Sequence, residues 1–600
     1  MAHTYVSLRN IRFTLFELLE AEKLREMERF ADYDRESMWM AVEAAKQLAD
    51  QYLFPYYRLQ DREKAHYQDG EVWVHPSIGE AMKAFGEAGW IGALDDYEAG
   101  GQQMPLTLLN AALFIFYSAN CNTGPYAFLT QGAANLIRRF GNKKLEETYI
   151  ENMYSGHWQG TMALTEPQAG SSLSDITTTA YPNGDGSYRI KGQKIYISGG
   201  DHIGVENVVH LLLARIEGAP PGTKGISLFV VPKYRPEDGS LRPNDVTTAG
   251  IYGKMGQKSY VAAHLMLGEQ DDCWGFLVGE PHKGLKHMFQ MMNEARIGTG
   301  LMAACTAGAA YYASLQYANE RPQGRHPSNK DASLPQILII EHADVRRMLL
   351  FQKAVAEGSM ALLAQCSLYA DQAEYHPDQA VRKRSHLLLE LLTPVAKSWP
   401  AEMGNLSVSA GMQVLGGAGY TDDFPLEQYY RDIRINSIYE GTTTIHGMDL
   451  LGRKMLLENG KAATFFMEEV KAAVKEALAL EPLKGYASRL VDESKKLQET
   501  AMHLMGLAMQ EKPEVFLADA TLFLEYFGNI VIAWQWLRQA TLAQVALDAG
   551  QEGEEERFYR SKLHTFRYYF EYELPKAAGL QERLTSSVRV TLDAAPEEIV

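Results

Sequence analysis

The sequence predicts a mainly α-helical protein with a β-domain set between helical regions. Three observations carry this. Residues 11–155 repeat apolar side chains every three or four positions. From 161 to about 276 the pattern changes to short, β-branched runs bounded by turns. From 281 the helical period returns and holds almost to the end. A chain of 600 residues is too long for one core, and the pattern changes divide it at 1–160, 161–280, 281–457 and 458–600.

In the first region "FTLFELLEAEKLREMERF" and "ESMWMAVEAAKQLADQYLFPYY" read as helices, and "EAGWIGALDDYEAGG" as a glycine-broken loop. "LTLLNAALFIFYSAN" (106–120) is the longest apolar run. It is interrupted and shorter than a membrane span, so it reads as a buried helix, followed after an Asn-Thr-Gly-Pro turn by another. "SYRIKGQKIYISGG" (187–200), "VVHLLLAR" (208–215) and "GISLFVVPKY" (225–234) read as strands, and "NGDG" (183–186) as a hairpin turn. Then come a long helix with small residues from "GLKHMFQMM" to "YANER", a second from "LPQILII", a third from "TPVAKSWPAEMG", and a fourth in "TTTIHGMDLLGRKMLLEN". Beyond 458, "EVFLADATLFLEYFGNIVIAWQWLRQATLAQVAL" and "RFYRSKLHTFRYYFEYELP" are helical again, and "TLDAAPEEIV" reads as a tail.

Composition removes several function classes. The formal net charge is -17, which repels phosphate backbones, and no Lys/Arg run makes a basic patch. "VRKRSH" (381–386) reads as a solvated helix face. Nucleic acid is therefore not expected as a partner, while a small polyanion, needing only a few local cations, remains possible. The four cysteines have no CxxC spacing, which argues against a disulfide framework or zinc and suits a reducing compartment. The N-terminal stretch has no signal-peptide core, and a cytoplasmic location is expected.

Four stretches can carry chemistry. "TMALTEPQAGSSLSD" (161–175) clusters Gly and Ser where helix gives way to sheet. It is either a plain interdomain loop or one whose N–H groups and hydroxyls face an anion or polar ring. In "IYISGG", strand alternation puts Tyr196 and Ser198 on one face, as ordinary packing or as a seat for a flat heterocycle. "QVLGGAGY" (413–420) is neither a Walker A loop nor a dinucleotide fingerprint, but its glycines permit close approach by something bulky. "NSIYEGTTTIHG" (436–447) places Glu440 before three threonines. Either Glu440 favours the positive end of a helix capped by Thr442 or Thr443, or its apolar neighbours bury it and raise its pKa, making it a candidate base. No histidine has metal-ligand spacing such as HExxH, and His446 reads as a helix residue packing on the turn above it.

"TEPQAGSS", "IYISGG", "ER" (320–321), "QVLGGAGY" and "YYRDIRINSIYEGTTTIHG" occur together in the order and spacing of the acyl-CoA dehydrogenase flavoprotein family. The chain resembles that family over about residues 40–455, and its extra C-terminal segment resembles the family's long subgroup. The resemblance implies an N-terminal helical domain, a β-barrel-like middle domain and a C-terminal four-helix bundle, followed by an additional helical segment. It implies FAD as cofactor and an acyl-CoA substrate dehydrogenated to trans-2-enoyl-CoA, as in fatty acid β-oxidation. Glu440 matches the base that removes the α-proton, with flavin N5 taking the β-hydrogen as hydride. The thioester carbonyl would meet the Glu440 N–H and the FAD ribityl chain. Leu164, Thr165, Tyr196, Ser198, Arg321, Gln413, Gly416, Gly417, Thr442 and Thr444 match FAD-side positions. Ser171, Arg296 and Gly441 match acyl-CoA-side positions.

Three places depart from the family pattern: Thr444 stands where many relatives have Gln, Asn293 where many have Asp, and "PQGR" follows Arg321 in place of the common Phe-Gly pair. The resemblance also implies an electron-transferring flavoprotein as partner, and a homodimer, since Arg321 and Gln413 match contacts made across a subunit boundary. An acyl-CoA oxidase would use the same fold and base and would form peroxide. A non-catalytic flavoprotein-like module is the third reading, which the retained Glu440 opposes.

Overall fold

The computed structural model describes residues 4–329 and 331–599. The N-terminal 155 residues hold α1 (Leu8–Arg12), α2 (Arg35–Leu48), α3 (Tyr57–Arg62), α4 (Ser77–Glu87), α5 (Leu106–Ala119), α6 (Gly124–Phe140) and α7 (Lys143–Tyr154). Two expectations fail here. "FTLFELLEAEKLREMERF" is not one helix: a π-helical turn, Phe13–Leu18, gives way to 3-10 turns because Glu20 adopts a left-handed conformation, φ 49°. Between α3 and α4 lies a small hairpin, β1 (His66–Gln68) and β2 (Glu71–Trp73), turning on Asp69 and Gly70, both with positive φ.

The β-domain holds β3 (Trp158–Ala163), β4 (Thr179–Pro182), β5 (Ser187–Ser198), β6 (Asn207–Ile216), β7 (Ile226–Pro232), β8 (Tyr234–Glu237), β9 (Ser240–Pro243), β10 (Val246–Ile251), β11 (Ala262–Leu267) and β12 (Trp274–Val278). The pairings β5–β12–β7–β6–β4–β5 form a closed circuit, so five strands make a small barrel. β11 and β10 extend it beyond β5, and β3 beyond β6. Closure removes free edges from the ring. The "NGDG" turn joins β4 to β5 as the sequence indicates, with Gly184 and Gly186 at positive φ.

The helical remainder is α8 (Gly284–Glu320), α9 (Ala343–Tyr375), α10 (Gln379–Leu415), α11 (Leu426–Ile433), α12 (Thr443–Gly452), α13 (Lys461–Leu478), α14 (Lys484–Gln510), α15 (Pro513–Leu517), α16 (Ala520–Asp548), α17 (Gly553–Tyr568), α18 (Ala577–Thr585) and α19 (Val590–Asp593). α10 does not begin near Thr393, where the sequence pattern placed its start. It starts at Gln379, takes in the basic "VRKRSH" run, and continues through Pro394 and Pro400. Among the described residues no helix is long and apolar enough to cross a membrane.

The chain divides into two compact units. One comprises Met40–Pro105 and Ala112–Ala295; the other runs to Trp39 and resumes over Leu106–Ala111 and from Arg296 onward. In the first, α6 and α7 cover β3, β6 and β7 with a core of Ile137, Tyr149, Met153, Val209, Leu211, Leu228 and Val230. In the second, α16 is buried on nearly every side, as a helix apolar all round must be. Gly358 of α9 and Gly528 of α16 leave room for Trp536 and Trp399. Each indole N–H is satisfied, Trp399 by Asn529 at 2.9 Å and Trp536 by the Ala354 carbonyl at 3.1 Å. The C-terminal segment thus shares a core with α9 and α10. Its Lys562, fully enclosed, ties Glu357 of α9 to Asn10 of the N-terminal extension at 2.7 and 2.5 Å.

Candidate functional site

Glu440 lies on the turn between Ser437 and α12, and both it and Gly441 have positive φ, 55° and 92°. A non-glycine residue in the left-handed region is held there by its surroundings rather than by preference. Its carboxylate makes no hydrogen bond or ion pair among the described residues. Burial raises its pKa above the usual value, and Arg296 and Lys397 pull the other way without cancelling that effect. The backbone N–H of Glu440 likewise has no partner among the described residues.

Lys397 donates to the Gly441 carbonyl at 2.7 Å, and His446 faces the Glu440 carbonyl through Nε2 at 3.0 Å. Burial, helped by Lys397 and Arg296, pushes His446 down to about 3, so the ring is neutral near pH 7. A carbonyl oxygen only accepts, which places the His446 proton on Nε2 and leaves Nδ1 bare. Burial lowers Lys397 to about 8, against the pull of Glu402 and Glu440. Arg296 stands 4.0 Å from Asp449 of α12.

Thr442 is the N-cap residue of α12, but its hydroxyl makes no cap bond. The Thr443 hydroxyl is bonded instead to Glu402. The capping reading of these threonines is therefore not what the turn shows. Thr444 is exposed, and the side chain of Asn293 lies outside the described residues. Sequence reasoning missed Lys397 and read His446 only as a packing residue. A lysine inside the buried run Val395–Trp399 was the available signal.

In the β-bearing unit, β5 and β11 pair with a bulge between Ala263 and Leu265. Tyr196 sits in it with φ 57°, the residue 58% exposed and its ring centroid 4.2 Å from that of Tyr252. Ile195 and Ile197 are buried while Ser198 is half-buried, so Tyr196 and Ser198 share the accessible side. The Leu164 carbonyl accepts from Lys194 at 2.9 Å and the Thr165 carbonyl from the Ile195 N–H at 2.9 Å. Lys194 also pairs with Glu166 at 2.8 Å, both side chains almost wholly enclosed. Glu166 accepts further bonds from the N–H groups of Thr177 and Thr178, the Thr177 hydroxyl and the Gln168 amide. Against its burial, Lys194 and these donors lower Glu166 to about 2. Ser171 is exposed on the loop they anchor.

At one end of the helical bundle, Ser314 of α8 lies against Gly411 of α10 and the Tyr317 ring against Phe424. Arg321, Gln413, Gly416 and Gly417, close by in sequence, are all exposed. Gly416 closes α10 with φ 61°, and a Cβ on it or on Gly417 would meet nothing within 4 Å. Arg321 follows α8 some 25 residues after Arg296, about 37 Å at 1.5 Å per helical residue.

Three domain families match the chain: acyl-CoA dehydrogenase, middle domain, over 161–268; acyl-CoA dehydrogenase, C-terminal domain, over 282–456; and acetyl-CoA dehydrogenase C-terminal like, over 466–595. The chain is similar to 3-methylmercaptopropionyl-CoA dehydrogenase of Ruegeria pomeroyi, 34% identical over 97% of both chains. It is also similar to a butyryl-CoA dehydrogenase of Syntrophomonas wolfei, 32% identical over the full length of both. In fold it resembles Caenorhabditis elegans ACDH-11, solved in complex with C11-CoA, with a TM-score of 0.73 at 20% identity, covering 98% of this chain and 94% of that one.

Proposed function

The chain belongs to the acyl-CoA dehydrogenase family, and from that premise we propose that it dehydrogenates an acyl-CoA thioester across its Cα–Cβ bond to trans-2-enoyl-CoA, with Glu440 as the base. The observation that carries this reading is the Glu440 carboxyl: half-buried, without a hydrogen-bond donor, and raised in pKa by its partial burial. A carboxylate so placed is a stronger base than a solvated one and is poised for a weakly acidic carbon. The unpartnered Glu440 N–H is suited to the thioester oxygen, where charge develops as the α-proton leaves. Arg296 and Lys397 keep positive charge beside the turn and moderate the cost of the ionised base.

FAD is the family's cofactor, and the residues present fit it. Tyr196 offers an exposed aromatic face with Ser198 on the same side, the Leu164–Thr165 backbone is pinned by Lys194 and Ile195, and the Gly416–Gly417 backbone is open to close approach. When bound, FAD supplies the acceptor for the electron pair that leaves with the β-hydrogen. In this reading Leu164, Thr165, Tyr196, Ser198, Thr442 and Thr444 hold FAD, while Ser171, Arg296 and Gly441 serve acyl-CoA. Arg321 lies about 37 Å of helix beyond Arg296, and Gln413, Gly416 and Gly417 lie at the C-terminal end of α10, beyond Lys397. They would serve the FAD of a second copy, which supports a homodimer. Electrons would then pass to an electron-transferring flavoprotein. The division at 1–160, 161–280, 281–457 and 458–600 remains our reading of the domains.

The test is anaerobic reduction of the bound flavin by a panel of acyl-CoAs of graded length and branching. Bleaching by one of them, lowered about 10²–10⁴-fold by Glu440→Gln, is expected. Full turnover by that variant would overturn the reading.

A further inference from the structure

A turn with two successive positive φ values does not hold itself, and this one lacks the usual local support. Thr442 makes no cap bond, and Thr443 is turned toward Glu402. What does meet the turn is a pair of donors from different helices: His446 of α12 on the Glu440 carbonyl and Lys397 of α10 on the Gly441 carbonyl.

We propose that Lys397 and His446 form a two-point clamp that fixes the Glu440–Gly441 turn and so aims the base, a positioning role that rests on the reading of Glu440 above. Each arm sits beside a glycine that lets two backbones close up. Pro400 has no N–H to offer the Ala396 carbonyl, and Gly300 of α8 packs on that carbonyl, where a Cβ would come within 1.8 Å. This contact seats Lys397, the next residue. Gly447, next to His446, packs on the Ala520 backbone at the start of α16, where a Cβ would come within 2.8 Å. The C-terminal segment therefore braces the second arm.

Residue 441 is constrained twice, by its φ and by the His446 ring, whose Nε2 a Cβ would meet at 2.9 Å. In a trans peptide the N–H points opposite the C=O. With the oxygens of Glu440 and Gly441 held, the N–H groups of Gly441 and Thr442 are turned away from the clamp, and neither has a partner among the described residues.

The charged and titratable groups around the turn are Arg296, Lys397, Glu402, His446 and Asp449. Lys397 is the arm that bears charge; His446 is neutral. The two arms therefore separate by pH profile. His446→Leu and Lys397→Met are each expected to lower kcat about 10–100-fold, the size of loss that slight misplacement of a reacting group produces, with KM changed less than about threefold. His446→Gln keeps an N–H donor and is expected to recover most of the loss. Lys397→Met, by removing a charge that lowers the Glu440 pKa, moves the acid limb of the kcat profile to higher pH; His446→Leu leaves that limb in place. Circular dichroism and bound-flavin absorbance establish that each variant is folded.

Wild-type kcat in both variants, or losses that Gln does not rescue together with an unmoved limb in Lys397→Met, would overturn the clamp. If instead Glu440→Gln itself turns over normally, it is the base assignment that fails.

Discussion

Each of the two units holds a glutamate beside a turn, Glu166 fully buried and Glu440 half-buried, and the two are opposites. Glu166 receives Lys194 and several hydroxyl, amide and N–H donors, and its pKa falls to about 2. Glu440 receives no donor, and its pKa rises. Burial penalises both charges equally in kind; the donors decide the outcome. A carboxylate wrapped in donors is a strut, which here pins the Thr165–Thr178 loop to β5. A carboxylate left without them keeps its lone pairs for a substrate. Lys194 and Lys397 repeat the contrast: the first neutralises its glutamate directly, whereas the second spends its hydrogen bond on a backbone carbonyl and acts on its glutamate only through the field.

The largest expected effects would separate the two residues by what is lost. Glu440→Gln should remove most of the turnover and slightly raise the unfolding midpoint at pH 7, since no native hydrogen bond or ion pair of that side chain is broken and a charge that costs stability is removed. Glu166→Gln should do the reverse: by stranding the Lys194 charge it costs about 3–5 kcal/mol of stability, and Glu166→Gln with Lys194→Met should regain most of it. Urea unfolding at pH 7 together with kcat on the folded fraction measures both. If Glu166→Gln were as stable as wild type, the strut would be refuted.

A smaller effect lies in the pH dependence of stability. The folded pKa of Glu166 is below its unfolded value, so its contribution is present above about 4.5 and is lost as pH falls from there toward 2. The folded pKa of Glu440 is above its unfolded value, so its ionisation costs stability and acidification relieves that cost. Between pH 6 and 3, Glu166→Gln should lose stability less steeply than wild type and Glu440→Gln slightly more steeply. Equal slopes for the two variants would erase the distinction.

Much of this was legible in the sequence. The change of period from 3.6 to 2 marked the β-domain, and Asn183–Gly186 marked its hairpin, because both signals are local. The apolar run at 106–120 marked the buried helix α5 for the same reason. Ring closure through β4 was not legible in composition, since it depends on β4 pairing with β5 and β6 at once. The unbroken α10 was hidden because proline rules describe an isolated helix, whereas Pro394 and Pro400 sit in one held by neighbours on several sides. At the site, Glu440 stood out as a charge in an apolar-aromatic run. The clamp did not, because Lys397 is 43 residues away in sequence and His446 resembles any helical histidine until its ring is placed on a carbonyl.

The claim beneath all of this is that Glu440 is a desolvated carboxylate without donors. Its titration can be followed directly by the carboxyl infrared band, as wild type minus Glu440→Gln. The account predicts a midpoint above the ordinary glutamate value of 4.5, rising further in Lys397→Met. A midpoint at or below 4.5 would contradict it.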